Sequence, residues 1–140
     1  MTALSKISLM LGLTIASVSM ADVAIIGHPS NPTTDLAPDQ IERIFLGKVT
    51  SFPNGDKAIP IDQASGASSR TEFYSKVLSK TDSQLKSYWS RIIFTGKGQP
   101  PQEETDDMAV KALIAKNPSL VGYISSQSVD NSVKVLYTAK

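Results

Sequence analysis

The sequence predicts an α/β domain whose mixed, mainly parallel sheet is flanked by helices. Three observations predict it. Short apolar runs of strand length recur along the chain: VAIIG, AIPI, LVGYI and VKVLY. Amphipathic segments with capping residues separate the earlier runs, and strands alternating with helices favour a largely parallel sheet. No internal repeat, low-complexity tract or linker divides the chain.

Each element has its own signal. Val23 to Gly27 is continuously apolar and ends in Gly-His-Pro-Ser, as a buried strand feeding a loop does. LAPDQIERIFLGK follows as a helix: Pro38 suits its first turn, Ile41, Ile44 and Phe45 share a face, and Gly47 stops it. Phe52-Pro53-Asn54-Gly55 marks a turn before a short strand over Ala58 to Ile61. Ser69 and Glu72 have the S-x-x-E spacing of a capping box, which predicts Ser69 as the cap of a helix running to Leu78. Thr81 and Gln84 form a second such box, opening a helix through Phe94. Leu85, Tyr88, Trp89, Ile92 and Ile93 are its expected core face. After the connector TGKGQPP, Thr105 is the expected cap of a helix that turns Val110, Leu113 and Ile114 inward. Leu120 to Ile124 and Val133 to Tyr137 are the last strands.

Met1 to Ala21 has the outline of a secretory signal peptide. Lys6 precedes an apolar run from Ile7 to Val18, and Ser19-Met20-Ala21 places small residues before a cut at Asp22. The run is short and rich in Ser, Thr and Gly, so no membrane span is expected after cleavage. Removing 21 of the 140 residues leaves 119, enough for one domain, residues 22–140, with one core. Loss of Lys6 brings the basic residues from 14 to 13, equal to the 13 acidic ones. A neutral chain gives no reason to expect nucleic acid or a membrane surface as partner.

The chain has no cysteine and one histidine, His28, which excludes thiol catalysis, cysteine metal sites and the HExxH zinc motif. No GxSxG elbow occurs, and TGKG at Thr95 lacks the rest of a P-loop. Ser83 to Lys86 matches S-x-x-K by chance, inside a helix with its own cap. Glu103, Glu104, Asp106 and Asp107 suit a solvated helix start better than a calcium loop. A non-enzymatic protein without metal or cofactor is the expectation.

The segment Ser65 to Phe73 carries the functional signal. A Ser/Gly loop that opens a helix gathers free N–H groups, hydroxyls and the positive end of the helix dipole, which suits an oxyanion. Arg70 adds a permanently charged fork of donors in the same turn. Ser65, Gly66, Ser68, Ser69 and Arg70 are therefore the candidate ligand-binding residues.

Three segments in order, LAPDQIERIFLGKVTSFPNG, IPIDQASGASSRTEF and PSLVGYI, resemble the phosphate-binding proteins of bacterial ABC transporters. The resemblance implies one lobe of a type II periplasmic-binding-protein-like fold, in a family that closes two lobes around a tetrahedral oxyanion. It also implies a periplasmic or secreted protein linked to phosphate transport, with a transporter permease or a second protein lobe as partner. The family's arginine before the loop falls near Ile61 or Asp62 here. The Thr of its Ser-Gly-Thr motif is Ala67, and alignment on Phe73 brings Ser68 and Ser69 towards the Gly-Thr positions. Arg70 is then the expected replacement guanidinium. The alternative is a single lobe kept for protein–protein interaction after losing its ligand.

Overall fold

A computed structural model describes residues 22–140 and Gly12, so the signal-peptide reading of residues 1–21 lies outside the described residues. Five strands form one sheet: β1 (Val23–Gly27), β2 (Ile59–Gln63), β3 (Gln102–Glu104), β4 (Leu120–Ser125) and β5 (Lys134–Ala139), in spatial order β3-β2-β4-β1-β5. The pairings β2–β3 and β2–β4 are parallel, whereas β1 runs antiparallel to both β4 and β5. Four strands therefore point one way and β1 the other, as a mixed, mainly parallel sheet requires.

Helices α1 (Pro38–Phe45), α2 (Ser68–Phe73), α3 (Asp82–Phe94) and α4 (Asp107–Ile114) surround the sheet. The period-2 alternation of the strands divides the core into two faces. Val23, Ile25, Val121 and Tyr123 join residues of α1, α2 and α3 on one face. Ala24, Ile26, Leu120 and Ile124 join Val110 and Ile114 of α4 on the other. Because both faces are covered, β1 and β4 are apolar at nearly every position. Phe73 stacks on Tyr123 at 4.0 Å and meets Phe45 at 4.7 Å, which ties α1 and α2 to the middle of the sheet. On the opposite face α4 lies so close to β4 that a Cβ at Gly122 would sit 2.8 Å from Val110 Cγ1. Among the described residues, no helix is long and apolar enough to cross a membrane.

Several elements depart from the sequence reading. The first residue of α2 is Ser68, preceded by Ala67, whose carbonyl accepts from Arg70 N and Thr71 N; Ser69 does not cap, and Glu72 pairs with Lys76 instead. Ser69 Oγ donates to Asp107 at 2.7 Å, a charged acceptor that outcompetes a local cap. Past Phe73 the helix widens into a π turn over Tyr74–Leu78 and ends at Ser79 in the left-handed region. Asp106, not Thr105, caps α4, its carboxylate accepting from Ala109 N at 2.9 Å.

The box of Thr81 and Gln84 forms as expected, in both directions. Its helix does not bury the whole apolar stripe, however. Leu85 is buried, Tyr88 and Trp89 pack against the core, and Tyr88 OH donates to Leu46 O at 2.7 Å. Ile92 is only half-buried, and Ile93 is 54% exposed, so the far end of α3 overhangs the body. Finally, Glu103 and Glu104, expected as part of an acidic helix start, lie in the edge strand β3.

Candidate functional site

The carboxyl end of β2 delivers Asp62 and Gln63 to a point where α2, β3 and α4 all begin or pass. The parallel register sets Asp62 beside Glu103, two carboxylates on adjacent strands. Arg70 resolves that repulsion. Its Nη1 donates to Gln63 O at 2.7 Å and to Glu103 at 3.0 Å and lies 3.9 Å from Asp62. Its Nε and Nη2 both donate to Asp82 at the start of α3. The guanidinium also lies over the Tyr74 ring, 4.6 Å from its centroid. Burial weakens its hold on the proton, but Tyr74, Glu103, Asp62 and Asp82 together raise its pKa above the ordinary arginine value.

Asp62 is itself buried and accepts from Tyr74 OH at 2.6 Å, from Tyr123 OH and from Gln63 N. Burial first, and then the negative charge of Asp62, push both phenols above the usual tyrosine range. They therefore act as fixed donors that hold the carboxylate in place.

A second hub stands at the start of α4. Asp107 Oδ1 accepts from Gln63 Nε2 at 2.8 Å and from Ser69 Oγ; its Oδ2 accepts from Ser125 N at 3.1 Å and Ser128 Oγ at 3.2 Å. Four donors fill the lone pairs of one carboxylate. The hub joins α2, α4, β2 and β4, and brings the first turns of α2 and α4 to the same place. Between them lies a pocket of about 340 Å³ lined by Gln63, Ser68, Ser69, Asp106, Asp107 and Met108 among others. Among the described residues, no acceptor meets the N–H of Ser68, Ser69, Asp107 or Met108.

The candidate residues from the sequence fall into two groups. Ser65 and Ser68 are exposed. Gly66 turns the loop at φ +92°, with no atom within 4 Å of where its Cβ would be. Ser68 and Ser69 line the pocket, whereas Arg70 faces a smaller groove with Gly66 and Lys80 and has its donors engaged by protein acceptors. Gln63, Asp62, Tyr74, Tyr123 and Asp107 are not among the candidates read from the sequence. The sequence places Glu103 and Asp107 in a solvated helix start, and the structure corrects this: one is tied to Arg70, the other is a four-donor hub. Asp62 and Tyr123 sit in segments legible as strands, but nothing local marks them as partners 61 residues apart. His28 is a loop residue whose Nδ1 accepts from Ser30 N at 3.0 Å.

No protein-family model matches the chain. Its fold matches solved structures. A protein from Clostridium perfringens described as a phosphate ABC transporter substrate-binding protein, solved with bound phosphate, superposes with a TM-score of 0.64 at 23% identity over 84% of this chain. An ABC-type phosphate transport receptor from Vibrio cholerae gives 0.64 at 24% identity over 84%, and PstS from Borrelia burgdorferi gives 0.63 at 17% over 83%. The match covers only 45% to 47% of those chains, so this chain spans less than half of their length. Its fold is that of a single lobe of such substrate-binding proteins.

Proposed function

We propose that the chain is an exported, solute-binding-type lobe that recognises phosphate or a similar oxyanion where α2 and α4 begin. The observation that carries this reading is the shared pocket, onto which two helix starts bring N–H groups of Ser68, Ser69, Asp107 and Met108 that lack protein acceptors. Ser65, Gly66 and the Ser68 hydroxyl extend the donor set along the loop. Arg70 contributes by holding the loop and α2 against β2 and β3. The fold supports the reading, since one superposing protein was solved with bound phosphate. Export rests on the pattern of residues 1–21, and a permease or a second protein lobe is the partner this reading implies.

The Asp107 carboxylate sets the terms of binding. Its negative charge faces the same pocket, so a singly charged oxyanion is favoured over a doubly charged one. Each exposed helix start adds only ~0.3–1 kcal/mol to an ionic interaction, so the open lobe alone binds weakly. Phosphate titration followed by amide NMR tests the site. The Ser68, Ser69 and Met108 resonances should move together, saturably, and less with sulfate at neutral pH. Unmoved amides at tens of millimolar phosphate rule the site out.

The second reading, a lobe retained for protein–protein interaction without a ligand, is favoured by one observation. Arg70, the arginine that follows the loop, has most of its donors engaged inside the protein. Silent amides together with a stable complex with another protein select that reading.

A further inference from the structure

We propose that the outer end of α3 is a docking surface for an acidic protein segment, with Phe94 as its central knob. Phe94 is 92% exposed and Ile93 54% exposed, where large apolar side chains are ordinarily covered. The helix end is firmly closed. Thr95 N and Oγ1 both donate to Arg91 O at 3.0 Å, Gly96 N donates to Ile93 O, and Lys97 N to Ile92 O, with Gly96 at φ +70°. That is a Schellman-type stop, so the ring projects from a fixed turn.

The charges that α3 and its closing turn place near the knob are positive. At 3.6 residues per turn, Arg91 lies roughly 60° to one side of Phe94, with Lys97 just beyond the turn; Lys86 lies roughly 80° to the other side and about 12 Å back along the helix. Among the described residues none of these three cations is in an ion pair. An exposed aromatic ring and cations without ion-pair partners complement a protein segment that carries apolar side chains between Asp or Glu residues. The surface shares no residue with the pocket between α2 and α4, so it does not depend on the anion reading.

The test is panning of a displayed library of random peptides against the full chain. The expected result is enrichment of peptides with an aromatic or aliphatic residue flanked by acidic ones. Their synthetic versions should bind about tenfold more weakly to Phe94→Ser and to Arg91→Glu, with Lys116→Ala unchanged. Thermal unfolding should show both variants folded like the parent, because the altered side chains are exposed. No enrichment, enrichment without acidic residues, or affinity indifferent to Phe94→Ser overturns the proposal. So does binding to phosphatidylglycerol/phosphatidylcholine vesicles that is lost in Phe94→Ser, which assigns the knob to a membrane. Self-association in sedimentation velocity that Phe94→Ser abolishes also overturns it, in favour of a second copy.

Discussion

At the carboxyl end of β2 the guanidinium of Arg70 meets three carboxylates, a carbonyl and a ring, and Asp107 meets four donors. At the outer end of α3 the Phe94 ring is exposed, and among the described residues Arg91 and Lys97 have no ion-pair partner. Both regions join a helix end to a loop rich in small residues, and both carry arginine. The difference is long-range context. Asp62 and Glu103 come to Arg70 because β2 and β3 pair in parallel, whereas among the described residues no carboxylate pairs with Arg91. A charged side chain is available to a ligand only where the fold has not already supplied its partners. By that criterion the free binding capacity of Arg70 is low and that of α3 is high.

The sharpest way to break this comparison is Arg70→Ala. It would leave Asp62 and Glu103 side by side without their shared cation, Asp62 buried and Glu103 half-exposed. Loss of one partner of a buried pair costs about 3–5 kcal/mol, and the exposure of Glu103 and Asp82 puts this case near the lower end. Urea denaturation should show about 3 kcal/mol of destabilisation, and a loss below ~1 kcal/mol would mean that Arg70 is not structurally engaged. Arg91→Ala, the control in the other region, should stay within about 0.5 kcal/mol.

The tyrosines of the same network predict a response to alkali. Tyr74 and Tyr123 hold their protons to a higher pH in the folded state than in the unfolded chain. Below about pH 10 both states are protonated and the stability is fully present. Above it the unfolded chain releases protons that the folded one keeps, so stability falls by about 1.4 kcal/mol per pH unit for each tyrosine. Stability measured between pH 10 and 11.5 should therefore decline less steeply in Tyr74→Phe than in the parent. Equal slopes would contradict the buried Asp62 hub. A smaller loss is expected at the second hub, where Asp107→Asn turns an amide NH2 towards donors. One mismatched buried pair costs ~1–3 kcal/mol, read from the urea midpoint.

The regions also differ in how far local sequence discloses them. Val23–Gly27 is legible because both faces of its strand are buried, which leaves an unbroken apolar run. The cap at Thr81 is legible because its partner, Gln84, is three residues away. Ser69 has the same local spacing, yet its hydroxyl goes to Asp107, 38 residues on, and the helix start shifts back to Ser68. Strand β3 is Gln-Glu-Glu, an edge segment without an apolar face, so no periodicity announces it. The Ser/Gly loop is where the sequence places it, but the engagement of Arg70 depends on strand register, which no motif encodes. On α3 the apolar period is correct and the burial is not, because the helix continues past the body it packs against.

Phe94→Ser should give the smallest effect, and it is the one that separates stability from recognition. A side chain 92% exposed has little burial to lose, so its removal should change unfolding free energy by no more than about 0.5 kcal/mol. Thr95, Gly96 and Lys97 keep their backbone bonds to Arg91, Ile93 and Ile92 whatever residue 94 is, so the helix stop survives. If urea denaturation instead shows a loss of 1.5 kcal/mol or more, Phe94 is covered in solution, and the contrast between a satisfied β2 end and an open α3 end fails. If stability holds, the ring contributes little to the fold, and a substitution that is silent in unfolding becomes a clean probe of what binds there.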